Sequence, residues 1–360
     1  MTIKTANQGI MQITPYKGGD SKLANVDRII RLASNECPHG ASPKAIEAMQ
    51  KAAVESHRYP DGLAKELRTA LAEYYDIKEE QILCGSGSDE ILALACNAFI
   101  SEGDESIYTE HGFLMYRIST LCNGGIPVPV KEINLKADVD AILAAVTSKT
   151  KIVFIANPNN PTGSYISKNE LHRLHAGLPK DVLLVVDGAY REYVELEDYS
   201  DGRELVSHGN VLITGTFSKM FGLGGMRVGW GYASPKIIDI MNRVRGPFNV
   251  NAMALAGATA ALKDIQWQEK IVSENNMLIS TLTSAFTEMG ITVYPSAGNF
   301  LLLDFATKEK AIAVDTYLRE KGVIVRQTSS YGLSTCLRMT IGAKDDMEYV
   351  VAKVKEALNI

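Results

Sequence analysis

Two uninterrupted apolar runs constrain the fold of this chain more than any other feature. Residues 152–156 and 182–186 are apolar throughout, which is typical of strands buried on both faces of a parallel sheet. From Gln81 onward, further strand-like segments alternate with segments that have helical character. This alternation predicts a doubly wound α/β domain with a mostly parallel sheet, whose ligands collect at the carboxyl ends of the strands.

The length of 360 residues leaves room for a second domain. Beyond residue 250, short strand-like segments are separated by helical ones, a pattern typical of a smaller α+β domain. We therefore predict an N-terminal arm over residues 1–35, a large domain over 36–250 and a small C-terminal domain over 251–360.

Composition argues against several classes of partner. The net charge of −5 gives no basic surface for nucleic acid or for an anionic membrane. No apolar run approaches the ~20 residues of a membrane span, and the first residues lack the apolar stretch of a signal peptide. The five cysteines are scattered, which favours reduced thiols in the cytoplasm and gives no indication of a metal site.

The segments that carry chemistry follow the predicted strands. Asn157 to Gly163 follows one strand, Asp187 ends another, and Lys219 follows a third in Thr216-Phe-Ser-Lys219. Glycines, hydroxyls and Arg227 come next to this lysine and suit a phosphate group. A desolvated lysine is a neutral amine that forms a Schiff base with a carbonyl. The combination suggests pyridoxal 5′-phosphate.

Other segments provide for the remaining needs of that cofactor. The amides of Ser88 and Asp89 stand at a predicted helix start, where an anion binds well. Asp187 is suited to pair with a protonated pyridine nitrogen, while Asn160 and Tyr190 are suited to donate to the phenolic oxygen. Phe113 is suited to stack on the ring. Taken singly, each of these residues also fits a turn, a helix cap or an ordinary core position.

In order and spacing, these segments resemble the fold-type I pyridoxal-phosphate aminotransferases from Tyr16 to about Asp346. Within that superfamily, the chain is most similar to the histidinol-phosphate aminotransferases. The similarity is carried by Thr14-Pro-Tyr16, Leu32-Ala-Ser-Asn-Glu-Cys-Pro38, Tyr59-Pro60, Gly87-Ser-Asp-Glu90, Asn159-Asn-Pro-Thr-Gly163, Thr216-Phe-Ser-Lys219, Val323-Ile-Val-Arg326 and Cys336-Leu-Arg-Met-Thr-Ile-Gly342.

The resemblance implies a role for each matching residue. Lys219 is expected to be the catalytic Schiff-base lysine, with histidinol phosphate and glutamate or 2-oxoglutarate as substrates. Tyr59 is expected to reach the cofactor phosphate of the neighbouring subunit in a homodimer. The other cofactor residues are expected to be Ser88, Asp89, Phe113, Asn160, Asp187, Tyr190, Thr216, Ser218 and Arg227. The substrate residues are expected to be Tyr16, Asn35, Arg326 and Arg338.

Some positions depart from the common pattern and leave the substrate open. Gly188-Ala189 stands where Glu-Ala is frequent, Phe113 where tyrosine is common, and His39 where an aromatic or small residue is usual. An aromatic or broad-specificity aminotransferase is therefore an alternative, and a non-catalytic pyridoxal-phosphate-fold binding protein is another, although such a protein would not need Lys219. A nucleotide-binding fold is disfavoured because Gly85-Ser-Gly-Ser88 lacks the third glycine of its fingerprint.

Overall fold

The structure, a computed structural model, describes residues 9–15, 18–24, 26 and 28–360. Its described part contains a seven-stranded sheet, a five-stranded sheet and a two-stranded hairpin. The hairpin consists of β5 (Glu132–Ile133) and β6 (Lys136–Ala137).

The seven-stranded sheet confirms the predicted mostly parallel architecture. Its strands are β2 (Ile82–Gly85), β3 (Glu105–Thr109), β4 (Ile126–Val130), β7 (Thr150–Ala156), β8 (Leu183–Asp187), β9 (Val211–Thr216) and β10 (Gly229–Ala233). They lie in the order β2-β10-β9-β8-β7-β3-β4, and only β10 runs antiparallel to its neighbours.

Strand β10 was not expected from the sequence. Its two glycines, Gly229 and Gly231, lower strand propensity, but packing requires both of them. A Cβ on Gly229 would lie 2.4 Å from the amide nitrogen of Ser88, and one on Gly231 would lie 2.9 Å from the Ile91 side chain. The absence of side chains at Gly229 and Gly231 therefore lets β10 pack closely against α3.

Eleven α-helices accompany the strands in the described residues. They are α1 (Pro43–Ala53), α2 (Lys65–Tyr75), α3 (Ser88–Phe99), α4 (Leu114–Cys122), α5 (Val139–Ala144), α6 (Lys168–Gly177), α7 (Pro235–Val244), α8 (Ala252–Leu262), α9 (Ile265–Glu288), α10 (Lys308–Glu320) and α11 (Lys344–Ala357). None of the helices in these described ranges is long and apolar enough to cross a membrane.

Strand β8 shows why its sequence is apolar throughout. Leu184 and Val186 belong to the core on one face of the large sheet, whereas Leu183 and Val185 belong to the core on the other. Because successive side chains of a strand point to opposite faces, a strand covered by helices on both sides must be apolar at every position. The polar Asp187 comes only where the strand ends.

The five-stranded sheet builds the second core. Its strands are β1 (Ile30–Leu32), β11 (Thr292–Tyr294), β12 (Phe300–Asp304), β13 (Val323–Gln327) and β14 (Cys336–Thr340), in the order β1-β13-β14-β12-β11. Strand β1 contributes Ile30 and Leu32 to this core, whereas α8 packs into the core of the large sheet. The domain limits at residues 35 and 250 stay predictions.

Candidate active site

A cavity of about 400 Å³ lies where the carboxyl ends of β7, β8 and β9 meet β13, β14 and the segment after β1. Its volume is in the range of small-molecule binding sites. Among the predicted site residues, those that line the cavity are Asn35, Ser88, Asp89, Phe113, Asn160, Asp187, Tyr190, Thr216, Ser218, Lys219, Arg227, Arg326 and Arg338.

Lys219 lies in the loop that follows β9. Its Nζ donates a hydrogen bond to the carbonyl oxygen of Ser34 at 3.0 Å and lies 5.9 Å from the centre of the Tyr190 ring. Burial and the nearby positive charge of Arg338 lower the pKa of Lys219 from 10.5 to about 8. A substantial fraction of this amine is therefore neutral near physiological pH, as a nucleophile or a base requires.

Asp187 is a buried carboxylate held by two hydroxyl groups. Tyr116 donates to Oδ2 at 2.8 Å, and Thr214 donates to Oδ1 at 3.1 Å. Burial raises the pKa of Asp187 above its ordinary value, and these two hydrogen bonds oppose that rise. A buried carboxylate at a cavity wall is stabilised by a cationic partner in the cavity.

A chain of polar contacts connects the neighbouring wall of the cavity to the small sheet. Asn35 donates from Nδ2 to the hydroxyl of Tyr190 at 2.8 Å and accepts from Thr340 at 3.1 Å. Arg338 donates to the side-chain oxygen of Asn160. Burial raises the pKa of Tyr190 to about 12, which keeps its hydroxyl protonated and able to donate.

The opposite end of the cavity is built to hold an anion. Helix α3 begins at Ser88 without a side-chain cap, so the amides of its first turn are available to a ligand. Arg227 donates to the hydroxyl of Ser218 at 3.3 Å and to Asp89 at 2.8 Å. The hydroxyl of Thr216 lies 3.0 Å from that of Ser218. Amides, hydroxyls and a guanidinium together suit a phosphate group.

Glycine keeps this anion site open. Gly87 has a φ of +94°, and a Cβ there would lie 2.2 Å from Asp89 Oδ1 and 2.4 Å from Arg227 Nη2. Any side chain at this position would strain the backbone and displace the groups that face the anion. The site is thus a cradle that a single methyl group would fill.

Two arginines stand together on the small-sheet side. Arg326 of β13 and Arg338 of β14 are register partners, and both line the cavity. A guanidinium forms paired, charge-assisted hydrogen bonds with a carboxylate or a phosphate. The cavity therefore offers a second anion-binding site on its small-sheet side.

One described residue of the predicted site does not line the cavity, and one predicted residue is not described. Tyr59 does not line it; its side chain is 84% exposed and stacks on Phe248 with ring centres 4.7 Å apart. Tyr16 lies outside the described residues.

Sequence reasoning missed the two hydroxyls that hold Asp187. Tyr116 follows Phe113 by three residues, one helical turn later. Thr214 precedes Thr216 by two residues on β9 and pairs in register with Asp187. Helical and strand periodicity counted from the predicted cofactor residues would have indicated both.

The residues present fit pyridoxal 5′-phosphate. The glycine-bounded cradle suits its phosphate, Asp187 suits a protonated pyridine nitrogen, and Tyr190 and Asn160 lie on the wall beside Lys219. No group of histidine, cysteine, aspartate or glutamate residues that could hold a metal ion occurs within the part of the chain that the structure describes.

Comparison with known proteins gives one consistent answer. The model of the aminotransferase class I and II family matches residues 27–354. The chain is 49% identical to the histidinol-phosphate aminotransferase of Paramagnetospirillum magneticum over 359 residues, covering 99% of each chain. It is 51% identical to the enzyme of that name from Dinoroseobacter shibae over 355 residues, covering 98% of each.

Solved structures agree with this result. The histidinol-phosphate aminotransferase of Sinorhizobium meliloti, solved in complex with pyridoxal-5′-phosphate, superposes with a TM-score of 0.88 at 26% identity, covering 92% of each chain. Aspartate aminotransferase from Thermus thermophilus, with a TM-score of 0.80 at 21% identity over 92% of each chain, shares the fold. The chain belongs to the class I and II aminotransferase family and, within it, to the histidinol-phosphate aminotransferases.

Proposed function

We propose that this protein binds pyridoxal 5′-phosphate and transfers the amino group of L-histidinol phosphate to 2-oxoglutarate. The products are imidazole acetol phosphate and L-glutamate, in a step of histidine biosynthesis. The observation that carries the proposal is the position of Lys219 in a cavity with an anion cradle at one end and two arginines on the small-sheet side.

Pyridoxal phosphate, when bound, supplies an aldehyde that amines add to and a ring that takes up the electrons left when a substrate carbon loses its proton. The side chains of the chain itself supply the remainder. Asp187 would stabilise positive charge on the ring nitrogen, and Tyr190 and Asn160 would bind the phenolic oxygen. Phe113 would pack against the ring, while Ser88, Asp89, Thr216, Ser218 and Arg227 would hold the phosphate.

Lys219 moves the proton. Its amine has a lowered pKa of about 8, so Nζ in its neutral form accepts a proton from the α-carbon of the substrate near neutral pH. The same Nζ, once protonated, would deliver that proton to a carbon of the cofactor. The adjacent Ser34 carbonyl, which accepts from Nζ, orients the amine.

The two arginines account for a pair of unlike substrates. One substrate carries a phosphate and the other carries two carboxylates, and a guanidinium forms paired hydrogen bonds with either anion. Arg338 and Arg326 are proposed to bind these groups in turn, with Asn35 in the same cavity; Tyr16, which lies outside the described residues, is proposed to contribute to substrate binding as well.

We further infer a homodimer in the cytoplasm. Tyr59 is exposed and stacks on Phe248, which is itself 46% exposed. Two adjacent exposed aromatic rings suit a subunit interface, and we propose that Tyr59 binds the cofactor phosphate of a second copy. All five cysteines are free thiols, which suits a reducing compartment.

The test has two parts. The absorbance band of the bound cofactor should shift on addition of L-glutamate and return with 2-oxoglutarate; no cycling would contradict transamination with this donor. Then kcat/KM is measured for L-histidinol phosphate and L-phenylalanine. We expect a preference for the phosphate substrate of about a hundredfold, or about 2.7 kcal/mol. Comparable values would indicate a broad-specificity enzyme instead.

A further inference from the structure

A buried arginine lies directly behind the wall of the active site. Arg191 follows Tyr190 at the start of a short 3₁₀ turn, and only 4% of its side chain is exposed. Its guanidinium lies over the Trp230 ring at 4.8 Å from the ring centre. A charged group buried to this extent is costly unless several acceptors compensate it, so its hydrogen bonds indicate what it holds.

Arg191 joins the ends of the two strands that carry the cofactor residues. Its Nε donates to the carbonyl oxygen of Gly188 at 3.1 Å, immediately after β8. Its Nη2 donates to the carbonyl oxygen of Thr214 on β9, and its Nη1 donates to Asp201 at 3.1 Å. The guanidinium therefore bridges β8 and β9 where both strands reach the cavity.

These two carbonyls belong to the residues that set the direction of Asp187. Gly188 is the next residue after Asp187, and Thr214 donates its hydroxyl to the Asp187 carboxylate. The turn that Arg191 closes, from Gly188 to Arg191, also contains Tyr190. One guanidinium thus holds the backbone next to two side chains that line the cavity, those of Asp187 and Tyr190.

Gly188 leaves the space that the guanidinium fills. Its φ lies outside the left-handed region, so backbone conformation does not require glycine here. A Cβ would lie 2.2 Å from Nη2 and 2.5 Å from the Cζ of Arg191. The glycine and the arginine therefore form a matched pair.

We propose that Arg191 is a positioning residue for the transamination reaction, which holds Asp187 and Tyr190 against the cofactor through the carbonyls of Gly188 and Thr214. The inference rests on the proposed function, because it concerns the geometry offered to pyridoxal phosphate. Arg191 does not line the cavity and acts only through the backbone that it holds.

The first experiment compares Arg191→Met with a matched control. Arg203 is half-buried and shares Asp201 with Arg191, its Nε lying 2.8 Å from that carboxylate. The hydrogen bonds of its guanidinium go to Asp201 and to the carbonyl of Tyr75. Arg203→Met therefore removes the same charge without touching the turn. In Arg191→Met, Asp201 keeps Arg203 as its partner, which favours folding.

Three quantities are measured: the Kd of the apoenzyme for pyridoxal phosphate, the pH at which the absorbance of the bound cofactor changes, and the Tm of the apoenzyme. Arg191→Met should weaken cofactor binding at least tenfold and move the spectral transition, whereas Arg203→Met should lower only Tm. Unchanged cofactor binding and an unmoved transition in Arg191→Met would overturn the proposal, as would equal changes in both variants.

A double-mutant cycle tests the same contact from the other side, and its first arm, Gly188→Ala, keeps Arg191 and so does not depend on an arginine variant folding. Gly188→Ala alone should weaken cofactor binding at least tenfold, because its methyl group displaces the guanidinium. In an Arg191→Ala background, the same substitution should have less than a threefold effect. Equal effects in both backgrounds would refute the pairing. A wild-type protein that does not bind pyridoxal phosphate would instead overturn the proposed function, and this inference with it.

Discussion

At the scale of single residues, the chemistry depends on shifted proton affinities. Burial and Arg338 disfavour the positive charge of Lys219 and lower its pKa to about 8, which raises the neutral fraction near physiological pH. Asp187 acts in its charged form, which burial disfavours. Two hydroxyl donors stabilise that charged form and so oppose the effect of burial on the pKa. Burial thus favours the neutral form of both groups, and the neighbouring residues strengthen this effect at Lys219 but oppose it at Asp187.

The first prediction concerns the proton affinity of Lys219. The rate at which the apoenzyme attaches pyridoxal phosphate should rise with pH and level off with a midpoint of about 8, because only the neutral amine reacts. Rapid-mixing absorbance at a series of pH values measures it. A rate that continues to rise beyond pH 10 would indicate an ordinary lysine. In Arg338→Met, the midpoint should move upward, because a positive charge near the amine has been removed.

The second prediction concerns the support of Asp187. Tyr116→Phe removes a donor that favours the ionised carboxylate, so the pKa of Asp187 rises and the acid limb of the kcat/KM profile moves to higher pH. A shift of about one pH unit is expected from the loss of a hydrogen bond to a charged group. Tyr108→Phe is the control, because Tyr108 packs edge-on against Tyr116 and makes no hydrogen bond to Asp187. Equal shifts in both variants would contradict the assignment.

The residues that sequence could and could not indicate differ in a physical way. Lys219, Asp187 and Asn160 stand in short segments of unusual composition at strand ends, which made them candidates. The order and spacing of these segments together, rather than any one position, led to the prediction. Tyr116, Thr214 and Arg191 act from inside ordinary helices, strands and turns. Tyr116 and Thr214 follow from helical and strand periodicity only when the count starts from the predicted cofactor residues. Arg191 does not follow from any local pattern, because its contacts include Thr214 and Asp201 in later segments.

At the scale of elements, close approach between β10 and the start of α3 shapes the anion cradle. Gly229 and Gly87 both occupy positions where a Cβ would collide with backbone or with the groups that face the anion. The glycine-rich helix start was recognisable from sequence. Strand β10 was not, because the glycines that permit its packing also weaken its strand pattern.

The third prediction belongs to this cradle. Gly87→Ala should weaken binding of pyridoxal phosphate at least tenfold, since strain at a positive φ costs about 1–3 kcal/mol and the methyl group would displace Arg227. Equilibrium titration of the apoenzyme measures the change. Gly225→Ala is the matched control in the glycine-rich loop, because a Cβ there has no neighbour within 4 Å and φ is not positive. A tenfold loss in the control as well would show that loop flexibility, rather than the cradle, is responsible.

At the scale of the whole molecule, the active site exists only because two sheets meet. Lys219 and Asp187 come from the large sheet, whereas Arg326 and Arg338 come from the small one, and Asn35 follows the strand β1 that joins the small sheet. The parallel α/β architecture was predictable from apolar runs and alternation. The pairing of β1 with β13 was not, because its partners are separated by almost three hundred residues.

The last prediction tests whether the site extends over two copies of the chain. Tyr59→Ala and Lys219→Ala should each lose nearly all activity, the first through weak cofactor binding and the second through loss of the amine. In a mixed dimer, one of the two sites would combine the intact Tyr59 of one subunit with the intact Lys219 of the other.

Equal amounts of the two inactive variants, dissociated and reassembled together, should therefore recover about a quarter of wild-type activity, because half of the dimers are mixed and each has one intact site. The cofactor concentration is one that saturates the wild type but not Tyr59→Ala. A control for reassembly pairs Leu63→Ala with Lys219→Ala. Leu63 is exposed near Tyr59 but is not proposed to bind cofactor, so the Leu63→Ala variant should be highly active before mixing. No recovery from the Tyr59→Ala and Lys219→Ala pair, with mixed dimers present by sedimentation, would mean that Tyr59 serves the site of its own chain. Full activity of Tyr59→Ala before mixing would mean that Tyr59 serves no site.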